Sequence, residues 1–443
     1  MKQWVRATVG AAATTAMLAV TVAAASPLQN LEVVDSYEPV RNLTVTESTA
    51  DIDGAPQQLV TVTADGDDFA FAIGANVYGR ALVDELTPID GSDATVVAAV
   101  NGDHFSFKTG IPLGMSISNG EIITSPVPAY DADEYYFHAL GITDDGDVLV
   151  GENPELYMQF TAGDETLTID RINRTREQWD GEQIVLFTPA YGESTHTDTM
   201  GTEIIVQVDE GEVKAGSVIN GTVIGVGNEG DSPLEEGTVV ISAHILRLQE
   251  IAHIAEGDPI SISFEFADPA WNDVTFAVGG NMTIVEDGEA LPYDYKLGVF
   301  KDPQPRSALG VKKNGDIVIA TADGRSEEAA GMSANDMADY MAYELECEYA
   351  ILLDGGGSTA MAVADEDGEL SIVNTPSEER PVGNGVVIVE TEDGGFSFLY
   401  LLPVVAAVIV GGAAILFVLK DRGKNDRKNE AANDEPQESA NEE

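Results

Sequence analysis

The sequence predicts an α+β fold: a strand-rich, mixed-sheet outer domain with few helices, followed by one C-terminal transmembrane helix. Three observations carry this expectation. Short apolar or alternating runs, bounded by Gly, Asp and Asn, recur through residues 26–395, the pattern of strands joined by turns. One stretch, about Ala334 to Glu346, shows a clear helical period of apolar residues. Residues 396–419 hold no charge and as a helix would reach roughly 36 Å, enough to cross a bilayer with some tilt.

Taken in order, residues 1–25 carry Lys2 and Arg6, then an apolar stretch, and end on Ala23-Ala24-Ala25. That is the form of a secretory signal cut after Ala25. Runs at 43–46, 58–63 and 69–73 read as strands. Residues 95–100 are nearly all apolar and read as a buried strand that feeds Asn101-Gly102-Asp103-His104-Phe105. Asn119-Gly120 lies between runs 115–118 and 121–123, the strongest short hairpin signal. A second hairpin joins 137–142 to 148–150 around Asp144-Asp145-Gly146-Asp147.

The middle region, 152–268, is also strand-rich, with runs at 157–160, 184–187, 203–208, 239–241 and 260–266. Ser333 and Asp336 form a capping box at the start of the helix. Met337, Met341 and Leu345 share one face with Tyr340 beside them, which reads as core packing. Cys347 is the single cysteine, so no intrachain disulfide forms, and it reads as an apolar filler. After residue 419 come Lys420, Arg422, Lys424, Arg427 and Lys428. They place the polar tail, 420–443, in the cytoplasm as a disordered segment. The expected location is therefore a single-pass cell-membrane protein whose 26–395 domain faces outward.

The chain has 77 acids against 22 Lys plus Arg, for a formal charge of −55. Binding of nucleic acid over a broad surface is excluded, because phosphate affinity needs a cationic footprint. The charge reads as a solvated surface adapted to high salt, where the Debye length falls to about 3 Å at 1 M. The alternative is simply a very acidic surface protein.

Four polar stretches adjoin apolar strands. They are Asn101-Gly102-Asp103-His104; Pro305-Arg306-Ser307-Ala308-Leu309-Gly310; Asp354-Gly355-Gly356-Gly357-Ser358-Thr359; and Asn374-Thr375-Pro376-Ser377-Glu378-Glu379-Arg380-Pro381-Val382-Gly383-Asn384. In the third, a carboxylate leaves a strand beside three glycines, which let another backbone or a ligand approach closely. The competing reading is a tight turn that Asp354 merely caps. Together the stretches offer carboxylates, amides, hydroxyls and two arginines, the groups that an anionic sugar derivative needs. Arginine forks onto phosphate oxygens, and paired carboxylates do acid and base work at glycosidic bonds. Against this, Arg306 and Arg380 could simply pair with surplus surface acids.

In these motifs and their order the chain resembles the phosphodiester glycosidase family, over about residues 35–390. Ile172-Asn173-Arg174 and Phe187-Thr188-Pro189-Ala190-Tyr191 also look like the middle region of bacterial relatives, which are often labelled exopolysaccharide biosynthesis proteins. The resemblance implies hydrolysis of a sugar-1-phosphodiester, of the N-acetylglucosamine-1-phosphodiester type, at the anomeric C–O bond. Asp354 would be the acid/base or water-activating group, with Asp103 and Glu379 as candidates for a second catalytic carboxylate. Arg306 and Arg380 would bind the phosphate. Asn101, Ser358, Thr359 and Asn384 would orient sugar hydroxyls, while Gly355, Gly356 and Gly357 admit the ligand. His104 departs from the family pattern, which usually has an aromatic or a glycine there; it reads as a polar variant on the rim, with a site residue as the alternative. No metal-ligand spacing signals a cofactor; Asp103 with Asp354 would be the pair for a divalent cation.

Two other functions fit the same residues. One is a non-catalytic glycan-binding or polymer-assembly protein at the cell surface. The other is a phosphodiesterase that cuts the P–O bond. Asn42, Asn220 and Asn281 each begin a glycosylation tripeptide, a pattern that chance produces often.

Overall fold

The computed structural model describes residues 26–74, 77–126, 137–152, 154–176, 183–293 and 298–391. The expected signal (1–25), membrane helix (396–419) and tail (420–443) lie outside these residues. Among the described residues no helix is long and apolar enough to cross a membrane.

Four sheets account for most of the chain. The first has eight strands, with Ala55–Ala64, Ile317–Ala322, Arg306–Lys312 and Cys347–Leu352 adjacent at its centre. The second, also of eight strands, is built entirely from residues between Leu156 and Phe266, together with the short strand Arg171–Ile172 inside that span. The third is centred on Val274–Gly280, and the fourth on Val96–Asn101, flanked by Met361–Ala364 and Gly385–Glu390. The expected mixture of strand directions is slight. Among the described strand pairings, the only parallel one joins Arg171–Ile172 to Ile184–Phe187. The short turns between most strands favour antiparallel neighbours.

Local chemistry explains several of these elements. Asn119 and Gly120 have φ of 49° and 77°, the doubly positive pair that a two-residue hairpin requires. Ser333 Oγ accepts from the Asp336 amide at 3.1 Å, and the Asp336 carboxylate accepts from the Ser333 amide at 3.0 Å. The helix so capped is shorter than its apolar period suggests. It runs Ala334–Asp339 and relaxes into a π turn over Tyr340–Glu344. That widening lets Tyr340 point its hydroxyl to Thr61 Oγ1 at 2.9 Å. Met337 and Met341 are fully buried beneath the first sheet, as core. Cys347 is buried with them, and burial pushes its thiol up to about 12, so it is an inert filler.

One apolar core joins three of the sheets. Val62 and Ile351 of the first, Phe276 of the third, and Val100 and Ile388 of the fourth all belong to it. The second sheet buries its own cluster, including Phe160, Ile241 and Phe264. The shared core holds the ends of the first and fourth sheets together, and the polar stretches leave from those ends.

Candidate active site

Asp354 leaves the first sheet at the end of Cys347–Leu352, and the chain enters the fourth sheet at Met361. The intervening turn therefore bridges two sheets. It is fixed from both sides by backbone bonds. The Asp354 amide donates to Gly102 O at 2.9 Å, and the Gly356 amide donates to Pro305 O at 2.9 Å. The chain folds this way because the apolar run Ala350–Leu353 is fully buried and stops at a residue that cannot be buried without partners.

Those partners are specific. His104 Nδ1 lies 2.9 Å from Asp354 Oδ1, which also accepts from the Gly355 amide at 2.9 Å. His104 Nε2 lies 2.5 Å from Asn281 Oδ1, and Asn281 in turn donates to Leu353 O at 2.8 Å. Burial works against charge on both members of the pair, but each partner's charge prevails. Burial lowers and Asp354 raises His104, with the net result that the imidazolium is held up to about 9. Asp354 is likewise held below the usual carboxylate range by His104, Ser358 and the Gly355 amide, against desolvation. His104, with its side chain 31% exposed, thus contacts the Asp354 carboxylate directly. Asn281, the start of a glycosylation tripeptide, is only 4% exposed, so it serves as the histidine's support.

The pair makes a pH prediction. His104 is charged below about 9 and neutral above it, where its bond to Asp354 becomes an ordinary neutral contact. Any activity that needs the pair should fall as pH rises through about 9. Its contribution to stability, full below the ordinary histidine value of about 6.5, should fade over the same rise. A flat rate profile from pH 7 to 10 would remove His104 from the mechanism.

Asp103 sits lower. It is 1% exposed, and its two oxygens accept from the His104 amide at 2.7 Å and from the Gly114 amide. Burial raises it to about 6, against the opposing pull of His104 and these amides. With both oxygens turned to backbone, Asp103 shapes the loop and lends charge to His104; it does not face the turn as a second catalytic carboxylate. Arg174 braces the same loop from beneath, donating to Ser125 O at 2.6 Å and Gly114 O at 2.7 Å. Its burial pushes the guanidinium down to about 9.

The amides expected on sugar hydroxyls are also internal. Asn101 is fully buried; it donates to Asp354 O at 2.7 Å and accepts from Ser307 Oγ at 2.6 Å. Asn384 accepts from the Asp103 amide at 2.9 Å. Each therefore fastens one loop to another. Ser358 and Thr359 are buried at 1% exposure. Ser358 Oγ accepts from Arg380 Nη1 at 3.3 Å, while Thr359 Oγ1 has no partner among the described residues.

Arg306 differs most from expectation. Its backbone flanks the turn, with its Cα 3.9 Å from where a Gly355 Cβ would stand. Its side chain, however, is 3% exposed and turned away. It donates to Met332 O at 2.9 Å, Val299 O at 2.7 Å and Asp302 O at 3.1 Å. Its Nε and Nη2 are thereby committed to backbone carbonyls and not to the turn. Arg380 does reach the turn. It pairs with Glu378, stands 5.5 Å over the ring of the exposed Phe107, and its Nη2 would lie 2.5 Å from a Gly357 Cβ. Glu379, the neighbour of that partner, is exposed and lines the groove beside Arg380; no hydrogen bond joins it to Asp354 among the described residues.

A second arginine, absent from the sequence expectations, also flanks the turn. Arg325 donates to Gln304 Oε1 at 2.9 Å, and its Nη2 would lie 2.7 Å from a Gly356 Cβ. Gly356 has φ of 63°, so glycine is needed there twice over, for conformation and for room. The signal for Arg325 was present in Ala322-Asp323-Gly324-Arg325, an apolar strand ending in Asp-Gly like Leu353-Asp354-Gly355. Asp323 also holds the last polar stretch, accepting from Asn374 Nδ2 at 2.8 Å and the Thr375 amide at 2.9 Å. Among the described residues no cluster of three or more His, Cys, Asp or Glu is arranged to hold a metal ion.

The phosphodiester glycosidase family model matches residues 213–389. Over this segment the chain is similar to that family. The matched segment contains the Asp354 turn and both flanking arginines, whereas Asn101 to His104 lie upstream of it. A prophage-derived uncharacterized protein of Bacillus subtilis, YomE, is 48% identical over 59 residues, 13% of this chain and 9% of that protein. A hypothetical protein from Synechocystis shares the fold at TM-score 0.62 and 20% identity, covering 81% of this chain and 64% of its own. The zebrafish N-acetylglucosamine-1-phosphodiester α-N-acetylglucosaminidase catalytic domain, auto-inhibited by its pro-peptide, aligns at TM-score 0.40 and 14% identity, over 82% of this chain and 88% of its own. At that score the likeness is too loose to fix fold or function. This chain spans less than two thirds of the first two proteins.

Proposed function

We propose that the chain hydrolyses a sugar-1-phosphodiester between the anomeric carbon and the bridging oxygen. The observation that carries the reading is the Asp354–His104 pair at a glycine turn, with the guanidinium of Arg325 beside Gly356 and that of Arg380 beside Gly357. The oxygen of water joins C1, the C1–O bond breaks, and the bridging oxygen departs with the phosphate as a monoester. One proton of the water passes to solvent. The leaving group gains charge as it departs, and Arg380 with Arg325 would hold that charge by forked hydrogen bonds. This lessens the need for a strong acid.

Asp354 faces the other half of the charge separation. A carboxylate kept ionised below its usual range is a poor proton acceptor but a good fixed counter-charge for an oxocarbenium-like transition state. His104, Asn281, Asn101 and Asn384 are positioning residues in this scheme. The exposed Phe107 offers a ring face beside the phosphate site, and sugar stacking there would exclude water.

Hydrolysis in water labelled with oxygen-18 tests the bond that is cut. Label is expected in the released sugar; label in the phosphate would instead make this a P–O phosphodiesterase. Binding of the diester with no turnover would make it the glycan-binding module. We propose further that the chain acts from the membrane surface on surface or exopolysaccharide material, on the strength of its acidic sequence and its terminal apolar segments. Protease added to intact cells should then remove residues 26–395 and spare the tail beyond Lys420; the reverse pattern would overturn the orientation.

A further inference from the structure

Arg380 belongs to two places at once. It bonds the turn through Ser358, and it also lines a groove of about 260 Å³ beside that turn. Resting on the function proposed above, we infer that this groove takes the leaving group, and that the substrate is the phosphodiester of an uncharged, apolar alcohol. Nucleoside diphosphates and other anionic leaving groups are rejected there.

The walls give the chemistry. Leu82, Val83, Ala360, Ile372 and Pro376 supply an apolar surface, part of it open, since Ile372 is 38% exposed. Ala360 is two residues from Ser358, so the apolar surface begins where the phosphate would sit. The groove is also preformed. Leu82 and Val83 belong to a one-turn helix and its cap, Ile372 ends the strand Leu370–Ile372, and Pro376 follows the segment that Asp323 holds. Preformed apolar walls favour a ligand by the water they release, with little ordering cost.

The charges around these walls decide against an anion. Asp84, Glu378 and Glu379 line the groove, and Arg380, the only cation among its described lining residues, already pairs with Glu378. A phosphate at the turn would meet Arg380 beside Gly357 and Arg325 beside Gly356. A second, further along, would meet the carboxylates of Asp84, Glu378 and Glu379. An alkyl or aryl group meets no such penalty.

Alkyl phosphates test the groove without any need to know the sugar. Titration calorimetry of the full-length chain with methyl, butyl and hexyl phosphate should show affinity rising by up to about four-fold for each methylene taken up. Uridine diphosphate should bind no better than methyl phosphate. Ile372→Ser, at an exposed position, should flatten the series while leaving methyl phosphate unchanged. Arg380→Gln should weaken every member of it. Equal binding of methyl and hexyl phosphate would overturn the inference, as would tightest binding of uridine diphosphate or a series that either variant leaves intact. The catalytic reading fails separately, by absence of turnover in the labelled-water experiment.

Discussion

Asp354→Asn is expected to cut sugar-1-phosphodiester turnover by about 10³-fold, within the 10²- to 10⁴-fold range of a positioned catalytic group, while the chain stays folded. Asparagine keeps the shape, and its oxygen still accepts from the Gly355 amide. What it removes is the charge facing the sugar. Deleting one partner of a buried ion pair usually strands the other, but here the stranded group is a histidine. Once Asp354 no longer holds it up, burial favours neutral His104, and above neutral pH no bare charge is left inside. The melting temperature should therefore move by only a few degrees. The alkaline limb near pH 9 should shift downward in whatever activity remains. Steady-state kinetics and a thermal melt read both quantities. Full activity would remove Asp354 from the chemistry, and parallel loss of fold and activity would make it a turn cap.

Arg306→Ala is expected to act in the opposite sense, costing about 1–3 kcal/mol of stability, the penalty for leaving a buried acceptor without its donor. The removed guanidinium strands the buried carbonyl of Met332, while those of Val299 and Asp302, on exposed residues, can turn to water. Lysine would not restore the network, because a point charge cannot spread over carbonyls in several directions. Urea unfolding should show the loss in both variants. For whatever stays folded, affinity for phosphate should be close to that of the parent chain. A variant with normal stability and weakened phosphate binding would return Arg306 to the substrate.

The contrast between these two residues shows what the sequence made legible. Asp354 is readable because its sequence signature is local: an apolar run before it, three glycines and two hydroxyls after it. The Asn119-Gly120 hairpin and the Ser333 cap were readable for the same reason. Arg306 sits in an equally distinctive stretch, but its role depends on which carbonyls surround it, and these come from elsewhere in the chain. The contacts of His104 are not legible in the sequence, because its two partners, Asp354 and Asn281, lie 250 and 177 residues away. The strand Val218–Gly227 was overlooked because Gly221, Gly225 and Gly227 interrupt its alternation, yet pairing on both sides keeps it in place. Buried amides such as Asn101 and Asn384 look like ligand groups in a sequence, since burial itself is not written there.

The fourth sheet has a consequence for biogenesis. Val96–Asn101 is flanked by Met361–Ala364 and Gly385–Glu390, and Phe69–Gly74 pairs with Gly385–Glu390. A ribosome therefore emits the early strands long before their neighbours exist. Pairings of such sequence separation form slowly and leave apolar edges open while the chain waits. The high density of acids along this chain would keep waiting molecules apart by mutual repulsion. The active centre has the same timing. Asp354 and His104 stand 250 residues apart, so the pair forms only after Cys347–Leu352 has been made and has joined the first sheet.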